Sequence, residues 1–273
     1  MSARASEFCA VPWRGRTVQI EHRWVKPDRT EAPLMVFLHE GLGSVSMWRD
    51  FPTRLCDVLG WRGLVYSRPG YGRSTPRAPD EQWAPDFMHQ QALEVLPALL
   101  DTLRIDTRLP PPWLFGHSDG GSIALIHAAR HPERVAGAIV LAPHIVVEDI
   151  SLRSIEQARV AFEQGDLRER LARHHVDPDS AFRGWNNAWL SPAFRDWNLI
   201  DELPLIRCPL LAVQGLDDGY GTLEQIRGIA SAAPQTQLLE LPACGHSPHR
   251  DQPEVLIAAV RRFVSPLIRP REV

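Results

Sequence analysis

Apolar positions along this chain fall into short solid blocks separated by longer stretches of helical period. Residues 34–39 (LMVFLH), 63–66 (GLVY), 113–115 (WLF), 135–142 (VAGAIVLA), 208–214 (CPLLAVQ) and 238–241 (LLEL) are such blocks. Unbroken apolar runs of this kind suit strands that are covered on both faces. An earlier stretch, 17–25 (TVQIEHRWV), partly alternates and reads as an edge strand. Between the blocks, residues 47–59, 86–104, 119–131, 222–233 and 253–265 read as helices, with Pro97 placed to kink the second and Pro266 to stop the last. Strands alternating with helices, without a repeat period, predict an α/β fold: a mostly parallel central sheet flanked by helices on both faces. The rhythm breaks over 144–200, a charged, helical-looking stretch that carries Trp185, Trp189 and Trp197. We therefore expect a core made of residues 1–143 and 201–273, with a helical cap or lid inserted at 144–200.

Composition removes several function classes. The chain has 273 residues, 44% of them hydrophobic and 23% charged, with a formal net charge of -3. That balance is globular and supplies no global basic field for nucleic acid. Cys9, Cys56, Cys208 and Cys244 are far apart, so a disulfide framework is not expected and each reads as a small apolar side chain. The arginines near the amino terminus have no apolar run behind them, which predicts neither a secretory signal nor a membrane span and makes the cytoplasm the expected location. A small-molecule substrate is the expected partner, with no nucleic acid and no membrane; oligomeric state is not readable. His174 and His175 with Asp177 and Asp179 are the nearest approach to a metal set, but adjacent histidines in a polar segment read as solvated. His127 and His131 read as surface or helix-terminal residues. Gly41 and Gly43 lack the third glycine of a dinucleotide loop. No metal and no cofactor are expected.

The unusual residues collect after the strand blocks, at the end of the sheet where open α/β folds bind ligands. After 113–115 comes Gly116-His117-Ser118-Asp119-Gly120-Gly121. A serine between two glycines fits a sharp strand-to-helix turn that lifts its hydroxyl clear of the sheet. Ser118 is the expected nucleophile, and the backbone N–H of Asp119 an expected oxyanion donor. After the last strand, His246 in PACGHS offers an imidazole to activate it, with His249 a weaker competitor. The loop after 208–214 reads Gly215-Leu216-Asp217-Asp218, and side-chain chemistry alone does not separate its two carboxylates. Gly41, in the loop after 34–39, is the expected second oxyanion donor, with His39 a structural support beneath it. Glu40 sits badly beside a developing oxyanion and should point away, or bind a donor from protein or substrate. Trp185 and Trp189 are four residues apart on one predicted helix face, suited either to substrate contact or to packing the cap onto the core. Trp48 is expected to pack beneath the oxyanion loop.

Taken together, LHEGLGS (38–44), SRPGYGRS (67–74), GHSDGG (116–121), GLDD (215–218) and PACGHS (242–247) resemble the α/β-hydrolase family over about residues 17–268, with 144–200 matching loosely as a helical cap. The resemblance implies that fold and a catalytic triad. It places the acid three residues after the loop glycine, which favours Asp218 over Asp217. It also implies that Glu40 stands where the family has glycine, and that Ser67 replaces the usual acid of a loop in which Arg68 is a structural brace. GHSDGG looks most like the amino-acid-ester hydrolases, where the residue after the nucleophile can meet a substrate ammonium; Asp119 is thus a candidate substrate contact, and Glu40 is another if the donor it binds belongs to the substrate. The expected activity is cleavage of a small carboxylic ester through an acyl-enzyme. A thioesterase, a carbon–carbon bond hydrolase of aromatic ring-cleavage products, and a non-catalytic ligand-binding protein on the same fold are the alternatives.

Overall fold

The computed structural model describes residues 6–105 and 110–267; both far ends of the expected core, 1–5 and 268–273, and residues 106–109 lie outside the described residues. Eight strands form one sheet: β1 (Glu7–Trp13), β2 (Arg16–Val25), β3 (Leu34–Leu38), β4 (Arg62–Tyr66), β5 (Trp113–His117), β6 (Gly137–Leu141), β7 (Leu210–Gly215) and β8 (Thr236–Leu241). They lie in the order β1-β2-β4-β3-β5-β6-β7-β8. β1 and β2 form an antiparallel hairpin, β2 meets β4 antiparallel, and every later pairing is parallel. The architecture is the mostly parallel α/β sheet that the apolar blocks predict. Strands β3, β5, β6 and β7 are buried over their whole length, which is why they read as unbroken runs.

The helices are α1 (Phe51–Leu59), α2 (Phe87–Gln90), α3 (Leu96–Thr102), α4 (Asp119–Arg130), α5 (Asp149–Gln164), α6 (Leu167–Ala172), α7 (Pro178–Trp189), α8 (Glu224–Ala232), α9 (Pro248–Asp251) and α10 (Pro253–Val264). Helices α1 and α10 cover one face of the sheet; α2, α3, α4 and α8 cover the other. The single helix expected over 86–104 is interrupted by a π turn at Gln91–Val95, just ahead of Pro97, which sits in the first turn of α3 where its missing N–H costs nothing. Helix α4 is buried on every residue except Arg130, because it runs between the sheet and α2–α3. His127 is therefore not a surface residue: it is buried and its Nδ1 lies 2.8 Å from the Ala92 carbonyl.

Helices α5, α6 and α7 occupy the connection between β6 and β7. The two ends of that connection pair with each other through the Val146–Asn198 bridge and a 2.8 Å bond from Leu199 N–H to the Ile145 carbonyl. The connection is also fastened to the sheet domain by His175. That ring is buried, accepts the Gly72 N–H at 2.8 Å and approaches the Leu42 carbonyl at 3.0 Å, so the solvated pair of histidines expected from sequence does not describe it. Among the described residues, no helix is long and apolar enough to cross a membrane.

Candidate active site

The turn between β5 and α4 carries Ser118 at φ 52° and ψ −120°, a backbone region that non-glycine residues avoid. Its N–H is tied to the Leu141 carbonyl at 2.8 Å. The turn closes only because its flanks lack side chains: a Cβ on Gly116 would lie 2.2 Å from the Gly120 carbonyl oxygen, and one on Gly120 would lie 2.1 Å from that of Leu38. Ala142 after β6 (φ 44°) and Ala243 after β8 (φ 52°) share the left-handed strain at the same end of the sheet.

Three expected residues meet here. The Ser118 hydroxyl is 3.0 Å from His246 Nε2, and His246 Nδ1 is 2.9 and 3.0 Å from the two oxygens of Asp218. Asp218 also accepts the Tyr220 N–H at 2.8 Å and the Gln214 amide at 3.2 Å. Burial would raise its carboxyl, but the hydrogen bond and charge of His246 outweigh burial and hold it below the usual carboxylate value. Asp217 is exposed and turned away, its N–H bonded to the Cys244 carbonyl. His249 is also excluded from the triad geometry: its ring packs on Trp48 at 4.9 Å and on His117 at 4.8 Å. Trp48 lies between Phe37, Phe51 and Phe115 on the α1 side of the sheet.

The loop after β3 is organised by Arg68, whose side chain is fully buried. Its Nη2 donates to the Glu40 carbonyl at 2.8 Å, and His39 Nδ1 lies 2.7 Å from the same oxygen. A trans peptide points its C=O and N–H in opposite directions, so turning the Glu40 carbonyl inward turns the Gly41 N–H outward. Neither the Gly41 nor the Asp119 N–H is given to a backbone or side-chain acceptor among the described residues. The acid missing at Ser67 is supplied from β2, where Glu21 accepts the Ser67 hydroxyl at 2.8 Å and the Arg73 N–H at 2.9 Å.

Glu40 faces two protein groups at ion-pair range. One oxygen is 3.6 Å from His117 Nδ1 and the other 3.8 Å from an Arg250 nitrogen. Burial works against its ionised form, yet His117, His249 and Arg250 hold it well below the usual carboxylate value. His117 in turn places Nε2 2.6 Å from the carbonyl of His246. The loop after β3 and the loop holding His246 thus approach each other through His117. The Asp119 carboxylate faces inward: one oxygen takes the Trp189 indole N–H at 3.2 Å, and the other stands 3.9 Å from Arg68 Nη1. Burial raises this carboxyl, with Arg68 and Trp189 opposing.

A cavity of about 240 Å³ opens beside Ser118. Trp185, Trp189 and Ile155 from α5 and α7 roof it, and Gly41, Tyr220 and His144 complete much of the wall. Trp185 approaches so closely that a Cβ on Gly41 would lie 2.2 Å from its indole nitrogen. His144, Tyr220, His117 and Arg250 were not identified from sequence. His144 follows β6 and is buried; burial, then the charge of His246, pushes its ring down to about 3, so it stays neutral. The position of His144 after a strand block was the one available signal. No three His, Cys, Asp or Glu side chains among the described residues converge as a metal site.

A profile of the Alpha/beta hydrolase family matches residues 35–259. The 2-succinyl-6-hydroxy-2,4-cyclohexadiene-1-carboxylate synthase of Enterobacter sp. (strain 638) is 26% identical over 250 residues, covering 85% of this chain and 92% of that protein. The sn-1-specific diacylglycerol lipase ABHD11 of Mus musculus is 24% identical over 279 residues, covering 92% of this chain and 86% of its own. Among solved structures, the enol-lactonase from Burkholderia xenovorans LB400 superposes with a TM-score of 0.73 at 23% identity, over 95% of this chain and 100% of that one.

Proposed function

The chain belongs to the Alpha/beta hydrolase family, and from that premise we propose that it is a serine hydrolase cleaving a small carboxylic ester or related acyl compound through an acyl-enzyme. The observation that carries this reading is the continuous hydrogen-bonded line from Ser118 through His246 to Asp218. As Ser118 Oγ attacks the substrate carbonyl carbon, its proton passes to His246 Nε2, and Asp218 stabilises the imidazolium. The Gly41 and Asp119 N–H groups hold the oxyanion. When the tetrahedral adduct collapses, the bond to the leaving group breaks and His246 protonates that group. Water then attacks the acyl carbon, giving its proton to His246; the acid departs and Ser118 recovers its proton. Helices α5–α7 act as the cap, and the cavity of about 240 Å³ beneath them suits a compact acyl group.

In this reading the Asp119 carboxylate is the internal counter-ion of Arg68 before it is a receptor for a substrate ammonium: one oxygen takes the Trp189 indole N–H, and the other has no hydrogen-bond partner but stands 3.9 Å from Arg68. Fluorophosphonate labelling that is present in the wild type and absent from Ser118→Ala, with turnover of short esters lost in parallel, is the expected result. An unlabelled wild type that hydrolyses no ester or thioester would sink the proposal in favour of a ligand-binding role. In the same substrate panel, an aminoacyl ester should show no advantage over its des-amino analogue; a strong preference for the amine would return Asp119 to substrate recognition.

A further inference from the structure

The rim of the cavity, beside Leu42 and Arg250, carries charge that this reaction does not use. Two segments are joined there. The Ser46 hydroxyl, in the turn Val45–Trp48, is 2.9 Å from His174 Nδ1 in the loop after α6. The bond ties the turn that Arg49 follows to the segment that Arg173, the C-cap of α6, begins. His175, next along the chain, reaches the carbonyl of Leu42, a cavity residue. Arg250 lines the cavity itself and is exposed on its outer side.

Arg49 and Arg173 are exposed, and among the described residues neither guanidinium has a carboxylate partner. Asp50 is adjacent to Arg49 in sequence but forms no ion pair with it. Burial, and then Arg250, Arg49 and Arg173 together, lower the proton affinity of the His174 ring, with Glu40 acting in the opposite sense. Among the described residues, Glu40 is the carboxylate in contact with this group, through Arg250, and its other oxygen is turned to His117. Like charges gathered without counter-ions raise the free energy of a site until an anion arrives, and guanidinium groups suit phosphate in particular.

We propose that this rim binds the phosphate-bearing leaving group of an acyl thioester, with the acyl group in the cavity under Trp185 and Trp189. The proposal rests on the acyl-transfer reading above and assigns the charge on its substrate. Both segments leave the acyl cavity free, so the rim governs the part of the substrate that departs.

The test compares kcat/KM for butyryl thioesters of coenzyme A, of 4′-phosphopantetheine and of pantetheine, which share the thiol arm; the second differs from the third by a phosphate alone, and the first adds further phosphates and an adenosine. Both phosphate-bearing thioesters should be preferred over that of pantetheine by about tenfold or more at low salt, an advantage that high salt erodes. In Arg49→Ala/Arg173→Ala each ratio should fall to near unity with the pantetheine rate unchanged, while Arg49→Lys/Arg173→Lys keeps most of it. Equal wild-type rates on the phosphopantetheine and pantetheine thioesters overturn the proposal and leave the hydrolase reading standing. So does a preference for the methyl half-ester of succinate without one for coenzyme A, which would make the rim a carboxylate site. Calorimetric binding of adenosine bisphosphate to Ser118→Ala separates the two readings further. Binding abolished by the double alanine variant supports the rim even if no acyl substrate is turned over, and absence of binding counts against it even if esters are.

Discussion

Asp217 and Asp218 are neighbours with the same functional group, yet only Asp218 has its carboxylate under the His246 ring. Asp218→Asn should cost on the order of ten-thousandfold in kcat, because the amide can hold His246 in the wrong tautomer and cannot stabilise its charge. Asp217→Asn should stay within a few-fold of wild type. Measuring both with circular dichroism as a folding control decides the assignment; a larger loss at Asp217 would reverse it. Residue chemistry alone left this pair unresolved, and the family spacing was what favoured Asp218. Ser118 and His246 were legible because each sits in a glycine-containing turn directly after an apolar block. Arg250 and Tyr220 were not, because the short helix α9 and the loop after β7, from which they reach the cavity, carry no motif of their own. The surroundings of Glu40 were not legible either: His117 and Arg250, which face it, are far away in sequence.

At the scale of elements, the site depends on how closely β3, β5 and α4 approach one another. Gly120→Ala would drive a Cβ to within 2.1 Å of the Leu38 carbonyl oxygen, and backbone cannot yield there as a side chain could. We expect that variant to unfold, or to lose several kcal/mol of stability, on the scale of severe packing strain. Gly219→Ala, with nothing within 4 Å of the added carbon, should be close to neutral. Urea denaturation of the two variants side by side checks the contrast; equal midpoints would refute the claim that the turn is sterically closed. The inner parallel strands β3, β5, β6 and β7 were legible because burial on both faces leaves an unbroken apolar run. Strand β1 was not, since EFCAVPW mixes exposed and buried positions and contains Pro12, which an edge strand tolerates. The π turn at Gln91–Val95 was hidden too, because the apolar spacing runs through it without a break. His127 does lie in the last turn of α4, but its burial was hidden for a related reason: a helix buried on all sides gives no polar face against which to place a histidine.

Over the whole molecule, His39, His127, His144, His175 and His249 are held neutral by burial. Their folded-state values lie below the ordinary 6.5, at about 4 for His127 and His175 and about 3 for His144. The unfolded chain therefore takes up protons that the folded chain refuses. Stability from these groups is fully present above the ordinary histidine value and is lost as pH falls through that value toward the folded ones, each ring contributing a slope of up to about 1.4 kcal/mol per pH unit. Thermal midpoints should fall steeply between roughly pH 6.5 and pH 4; a flat profile there would show that the rings protonate without unfolding. None of this was legible in a count of 11 histidines, because only packing decides which are buried. The left-handed backbone of Ser118 bears on the same total. Glycine adopts that conformation freely, so Ser118→Gly should exceed Ser118→Ala in unfolding free energy by about 1 kcal/mol, the strain released less the added chain entropy of glycine. An equal or lower value would show that the turn holds no such reserve. If it does, robustness and reactivity draw on one pair of dihedral angles, and selection for a hardier protein would favour losing the hydroxyl that gives the fold its use.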